Sequence, residues 1–154
     1  MLALMGSGGS AMMTLSMPEQ NVEIVLESFR RFDDNNLEAA EELWSPQARV
    51  AAPDGWPEPG PVEGRDAVMR QFERLRADAA QSRIEVEVLE AGDEWVVVAF
   101  RWYVTGARSG IETVMDGAAA FRVVDDQISE GHYKWDPADA LGVAGLRKQP
   151  GGNA

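Results

Sequence analysis

The stretch "DDQISEGHYKWDPADAL" at 125–141 holds the only histidine of the 154-residue chain, His132, among Glu130, Tyr133, Lys134 and Asp136. A histidine beside carboxylates has the composition of a general acid–base pair, and a phenol next to it adds a hydrogen-bond donor. Two further candidates stand elsewhere. Asp54 opens a Pro/Gly loop beside Trp56, where burial would raise its pKa toward that of a base. Tyr133, with an ordinary pKa near 10, suits an oxyanion-type donor better than a base at neutral pH. The catalytic candidates are therefore Tyr133, Asp54 and His132.

Which of them can meet depends on the strand that carries them. Along "QISEGHYKW" one face takes Glu130, His132 and Lys134, and the other takes Gly131, Tyr133 and Trp135. The second set is the more apolar and should face the core, which turns His132 outward. A bulge at Gly131 would reverse that assignment, because a slip of one residue moves every side chain to the other face. The same parity sends Val96, Val98, Phe100 and Trp102 inward on "WVVVAFRWYV", and Trp95, Arg101 and Tyr103 outward. On "ETVMDGAAAF" it sends Met115, Gly117, Ala119 and Phe121 inward.

The elements that must hold these strands are legible in part. Ser16-Met17-Pro18-Glu19 is a capping-box pattern with proline in the first turn, and Val22, Val25, Leu26 and Phe29 continue it at helical spacing to about Phe32. Leu37, Ala40, Leu43 and Trp44 predict a short second helix ended by Pro46. "ARVAAP" reads as a brief strand, and the broken loop "DGWPEPGPVEG" follows. "RDAVMRQFERLRADA" predicts a third helix with Val68, Phe72 and Leu75 on one side. Strands follow one another from "RIEVEVL" onward. Asp136-Pro137 then starts a short terminal helix. Helices first and a meander of long antiparallel strands after them predict an α+β domain.

Composition narrows the function classes. With 26 acidic against 14 basic residues the net charge is −12, which repels phosphate backbones and anionic lipid; neither nucleic acid nor membrane is expected as a partner. No cysteine and one histidine leave no metal site expected, and no cofactor either. The lack of cysteine accords with a cytoplasmic setting. Residues 1–17, with "GSGGS", read as a flexible leader, 18–146 as the domain and 147–154 as a flexible tail.

Three patterns in order, "EGRDAVMRQF", "AAAFRVVDDQISE" and "YKWDPADAL", resemble the nuclear transport factor 2-like superfamily and its SnoaL-like branch. The resemblance spans roughly residues 18–146. It implies a strongly curved antiparallel sheet wrapped around N-terminal helices, a cone with an apolar pocket at its wide end. Lining that pocket it implies Phe29, Trp56, Phe72, Val98, Phe100, Trp102, Met115, Ala119, Tyr133 and Trp135, with the small run 117–120 leaving room and Trp56 acting as a lid. It further implies a homodimer through the convex sheet face, at Trp95, Arg101, Tyr103 and His132.

Members of the superfamily include isomerases, cyclases and dehydratases as well as proteins without chemistry. The ketosteroid isomerases use a first-helix tyrosine and two aspartates, positions that fall here on Ser28, Ala52 and Ala119. Polyketide cyclases use an inner aspartate or histidine of the last strand, where Gly131 and Tyr133 stand. The expected function is therefore binding of a small hydrophobic molecule, polyketide-, steroid- or terpenoid-like. One alternative is a cofactor-independent isomerase, cyclase or dehydratase using Tyr133 with Asp54 or His132. The other is a protein-interaction module with a filled core.

Overall fold

The structure, a computed structural model, describes residues 15–57 and 60–146. The leader expected at 1–17 therefore lies outside the described residues up to position 14, and the tail at 147–154 lies outside them entirely. Helix α1 (Met17–Asp33) begins where the capping box places it: the Ser16 hydroxyl accepts from the Glu19 amide at 3.3 Å, and the Glu19 carboxylate accepts from the Ser16 amide at 3.0 Å. "DDNN" ends the helix, with Asn35 in the left-handed region.

Helix α2 (Leu37–Glu41) is shorter than its spacing suggests, and here the sequence expectation fails. Leu43 follows the helix, while Trp44 opens strand β1 (Trp44–Ala51). Burial explains this: Trp44 is 1% exposed, its indole edge-on to Phe72 at 5.3 Å and to Phe121 at 6.4 Å. That anchor outweighs the few hydrogen bonds of another helical turn. Pro46 falls within the strand, inside the register break between Trp44 and Arg49, where no ladder donor is required.

After the short β2 (Val62–Glu63), helix α3 (Arg65–Ala77) leads to four long strands: β3 (Ala79–Ala91), β4 (Trp95–Gly106), β5 (Glu112–Val124) and β6 (Gln127–Lys134). Helix α4 (Pro137–Ala144) closes the described chain, capped by the Asp136 carboxylate, which accepts from the Ala138 amide at 2.9 Å. The sheet runs β2-β1-β6-β5-β4-β3. It is antiparallel except for β1 beside β6, which pair in parallel. Register breaks in β3–β4 and β5–β6 are where a sheet bends and twists more strongly.

The two faces carry separate cores. In the hollow, Val96 and Val98 of β4, Ala119, Phe121 and Val123 of β5, and Ile128 of β6 meet Val25 of α1 and Val68 and Phe72 of α3. Behind the sheet, Val97, Ala118 and Ala120 are covered by Ala140 and Leu141 of α4.

Polar contacts lock α1 against the sheet. The Asp33 carboxylate accepts from the Ser82 hydroxyl and the Ile84 amide, each at 2.7 Å, and Trp102 Nε1 donates to that same hydroxyl at 2.9 Å. Arg76 donates to the carbonyls of Phe32, Asp33 and Ala79, which ties the ends of α1 and α3 together. At the other end of α1, Asn21 donates to the Asp93 carbonyl in the β3–β4 turn. The rim of the hollow is thus held by hydrogen bonds and its interior by aromatic packing.

Candidate functional site

Between the helices and the concave sheet face lies a cavity of ≈ 120 Å³. Helix α1 contributes Ser28, Phe29 and Phe32, and α3 contributes Gln71, Phe72 and Leu75. The strands add Trp44 from β1, Phe100 and Trp102 from β4, Met115 from β5 and Tyr133 from β6. Tyr133 stands edge-on to Phe100 and Phe121, with ring centroids 6.1 and 5.8 Å away. Its burial pushes the phenol pKa above the ordinary value, so the group is a neutral donor at any physiological pH. No described residue hydrogen-bonds its hydroxyl.

Trp56 and Trp135 form the mouth, 6.3 Å apart. Trp135 is 46% exposed and its Nε1 donates to the Asp54 carbonyl at 2.8 Å, which fixes the loop against the end of β6. Asp54 itself is exposed in the turn and absent from the cavity wall. Its backbone, not its carboxylate, serves the site, and the burial that a base would need is lacking.

Of the expected lining residues, Phe29, Trp56, Phe72, Phe100, Trp102, Met115, Tyr133 and Trp135 surround the cavity. Val98 and Ala119 do not: both are fully buried in the core behind it. The room expected from the small run 117–120 is already taken. Gly117 lies under the Phe100 ring, where a Cβ would come within 2.7 Å of Cζ, while Ala118 and Ala120 face outward beneath α4. Of the positions where ketosteroid isomerases carry their tyrosine and aspartates, Ser28 and Ala52 lie on the wall.

His132 points away from all of this. Its Nε2 is 2.8 Å from Glu130 Oε1, and its ring packs 6.0 Å from Trp95 on the convex face. The β5–β6 register break falls between Arg122 and Val123, opposite Ser129, so Gly131 pairs regularly with Phe121 and does not reverse the parity. Gly131 has a packing reason of its own: a Cβ there would meet the Phe121 ring at 3.3 Å and the Trp44 ring at 3.5 Å. Tyr133, Asp54 and His132 are therefore not brought together.

The convex face is a set of closed ion pairs. Arg122 bridges Glu94 at 3.0 Å and Glu130 at 3.2 Å. The Glu130 carboxyl is held below its usual pKa by the hydrogen bond from His132 first and by Arg122 second. Arg101 forks onto Asp116 at 2.7 and 3.1 Å, and Arg83 lies 4.0 Å over the Tyr103 ring.

Among the cavity residues that sequence reasoning missed are two with unpaired polar atoms, Gln71 and Trp44. Gln71, 5% exposed, has no partner for Oε1 among the described residues, and Trp44 has none there for Nε1. A signal for Gln71 existed. It follows Val68 by three and precedes Leu75 by four, a polar residue on the apolar stripe of α3. Trp44 was hidden by its assignment to a helix.

A curved sheet with helices in its hollow and an aromatic cavity between them is the cone architecture of nuclear transport factor 2-like proteins. The chain belongs to the SnoaL-like domain family, which matches residues 25–131. Among solved structures it is similar to a protein put forward as a SnoaL-like polyketide cyclase from Jannaschia sp. CCS1. The identity is 22% over 78% of this chain and 88% of that one, with a TM-score of 0.67. It is also similar to SalBIII, an epoxide hydrolase/cyclase-like enzyme of pyran ring formation in the polyether salinomycin (24% identity, 79% and 95% covered, TM-score 0.67). A protein put forward as an isomerase from Bacillus subtilis matches at 17% identity, with 83% and 96% covered and a TM-score of 0.67. No curated protein matches the chain at a significant level. Among the described residues, no helix is long and apolar enough to cross a membrane.

Proposed function

We propose that this chain binds a small hydrophobic molecule in its concave cavity, through aromatic walls and the unpartnered Tyr133 phenol. The carrying observation is that wall: aromatic and aliphatic side chains surround the Tyr133 hydroxyl, which no described residue hydrogen-bonds. Size sharpens the class. A cavity of ≈ 120 Å³ takes about one six-membered ring, since roughly 150 Å³ holds benzene. A steroid or polycyclic polyketide would extend past Trp135, so a monocyclic terpenoid- or polyketide-derived compound fits better.

A second reading has support as well. A neutral phenol in an apolar site is a competent hydrogen-bond donor to a developing oxyanion, and similar folds include an epoxide hydrolase/cyclase-like enzyme and a protein put forward as an isomerase. In that reading Tyr133 acts without Asp54 or His132. The proposed partner on the convex face is a second copy, seated on the end that α4 leaves open near Arg101, Tyr103 and the half-exposed Val114.

A thermal-shift series with monocyclic hydrocarbons, ketones and alcohols tests the binding. A ligand at a hundredfold its Kd stabilises by about 2.7 kcal/mol, which is roughly 5 to 10 °C for a chain of this size. No shift from any of them overturns the proposal. A monomer mass by light scattering at micromolar concentration overturns the second copy.

A further inference from the structure

Among the described residues, two buried polar atoms without partners belong to side chains of the cavity wall, and they are complementary. Trp44 Nε1 is a donor on a side chain 1% exposed; Gln71 Oε1 is an acceptor on a side chain 5% exposed. Both residues line the same cavity, Trp44 from the start of β1 and Gln71 from the middle of α3. Buried polar groups are paired in the great majority of cases, and leaving one unpaired is destabilising. A leucine or methionine at position 71 would continue the Val68–Phe72–Leu75 stripe without that cost. The amide is therefore placed where packing gives it no reason to be.

We propose that Gln71 and Trp44 form a polar subsite for a neutral ligand that carries a hydroxyl group. A hydroxyl can accept from Trp44 Nε1 and donate to Gln71 Oε1, and it is the smallest group able to satisfy both. A carboxylate or an ammonium is excluded at this end. Among the described residues, Lys134 is the only charged one on the wall, and it adjoins the exposed Trp135 at the mouth. An ion buried beside Gln71 would lack a counter-charge. The subsite rests on the pocket reading above and adds to it the chemistry of the ligand: one ring, uncharged, with an alcohol or phenol at the inner end.

The test uses the full chain with phenol and toluene as matched probes, titrated by calorimetry against wild type and Gln71→Met. Met keeps the volume and removes the amide; Gln71→Leu is the second variant if the first does not fold. The ratio of phenol to toluene affinity is expected to fall about tenfold in the variant, equivalent to roughly 1.4 kcal/mol, while toluene affinity holds or rises. The melting temperature of Gln71→Met is expected to rise, because an unpaired buried acceptor has been removed. An unchanged ratio overturns the subsite, since water or the protein would then satisfy Gln71. An unchanged ratio with a lowered melting temperature would assign Gln71 a purely structural role. If wild type binds neither probe, the pocket reading itself fails and the subsite falls with it, a result visible before any variant is made.

Discussion

The concave and convex faces of strands β4, β5 and β6 alternate residue by residue along the same backbone, yet they treat polar groups in opposite ways. On the convex side, Arg101, Arg122 and His132 each have a carboxylate within hydrogen-bond distance. In the hollow, the Tyr133 hydroxyl, Gln71 Oε1 and Trp44 Nε1 have no partner among the described residues. Polar groups that are paired at a surface are explained by the fold. Polar groups left unpaired in an apolar interior reduce stability and ask for something from outside. The histidine that draws the eye in the sequence belongs to the first kind, and the glutamine that does not belongs to the second.

The largest effect that separates the two faces is expected at Phe121. Its ring is 2% exposed and touches Phe29, Trp44 and Tyr133. Phe121→Ala should destabilise by about 3–5 kcal/mol, read as a lowered urea midpoint. A loss under ~1 kcal/mol would mean that the hollow is loosely packed and the cavity ill-defined.

Next comes Gly117→Ala. The added methyl would meet the Phe100 ring and push it toward the cavity, at a cost of about 1 kcal/mol, the low end for overpacking because the ring has space to move. Monocyclic ligands should bind more weakly to this variant. Unaltered affinity would show that Phe100 does not bound the ligand site.

Tyr133→Phe should stabilise slightly at neutral pH, where it removes an unpaired hydroxyl, and increasingly at high pH. The folded chain keeps a proton that the unfolded chain releases above its ordinary pKa near 10, so each pH unit above that point favours unfolding by about 1.4 kcal/mol. Replacing the phenol removes this fall. Urea midpoints at pH 9 and 11 would expose it, and identical pH dependence in the two proteins would contradict a buried phenol. The smallest effect is expected on the convex side. Arg101→Ala breaks an exposed pair with Asp116 and should leave the midpoint where it was. A clear loss at a concentration where the chain is monomeric would erase the contrast between the faces; a loss that appears only at higher concentration would come from the second copy proposed near Arg101.

Much of the fold was legible in local chemistry. The capping box at Ser16, the Asp136-Pro137 helix start and the alternation along β4 to β6 each report a preference that acts over a few residues, and tertiary packing agreed with all of them. The second helix was not, because Trp44 gains more from burial under Phe72 and Phe121 than from another helical turn. The parallel pairing of β1 with β6 joins residues some eighty positions apart and has no local signature.

The site divides in the same way. Parity along β6 placed Tyr133 inward and His132 outward, and it depended only on the two-residue period of a strand and on Gly131 not bulging. The room attributed to residues 117–120 was misjudged, because the absence of a side chain says nothing about which neighbour fills the space; Phe100 and α4 do. The sequence by itself determined the α+β order of elements, the acidic surface, and which strand residues share a face, since these follow from composition and short-range periodicity. Only the tertiary structure decided that Asp54 stays outside, that α4 covers the back of the sheet, and that Gln71 and Trp44, each with an unpaired polar atom, line one cavity. Those outcomes depend on which distant surfaces come into contact, and no window of a few residues carries that information.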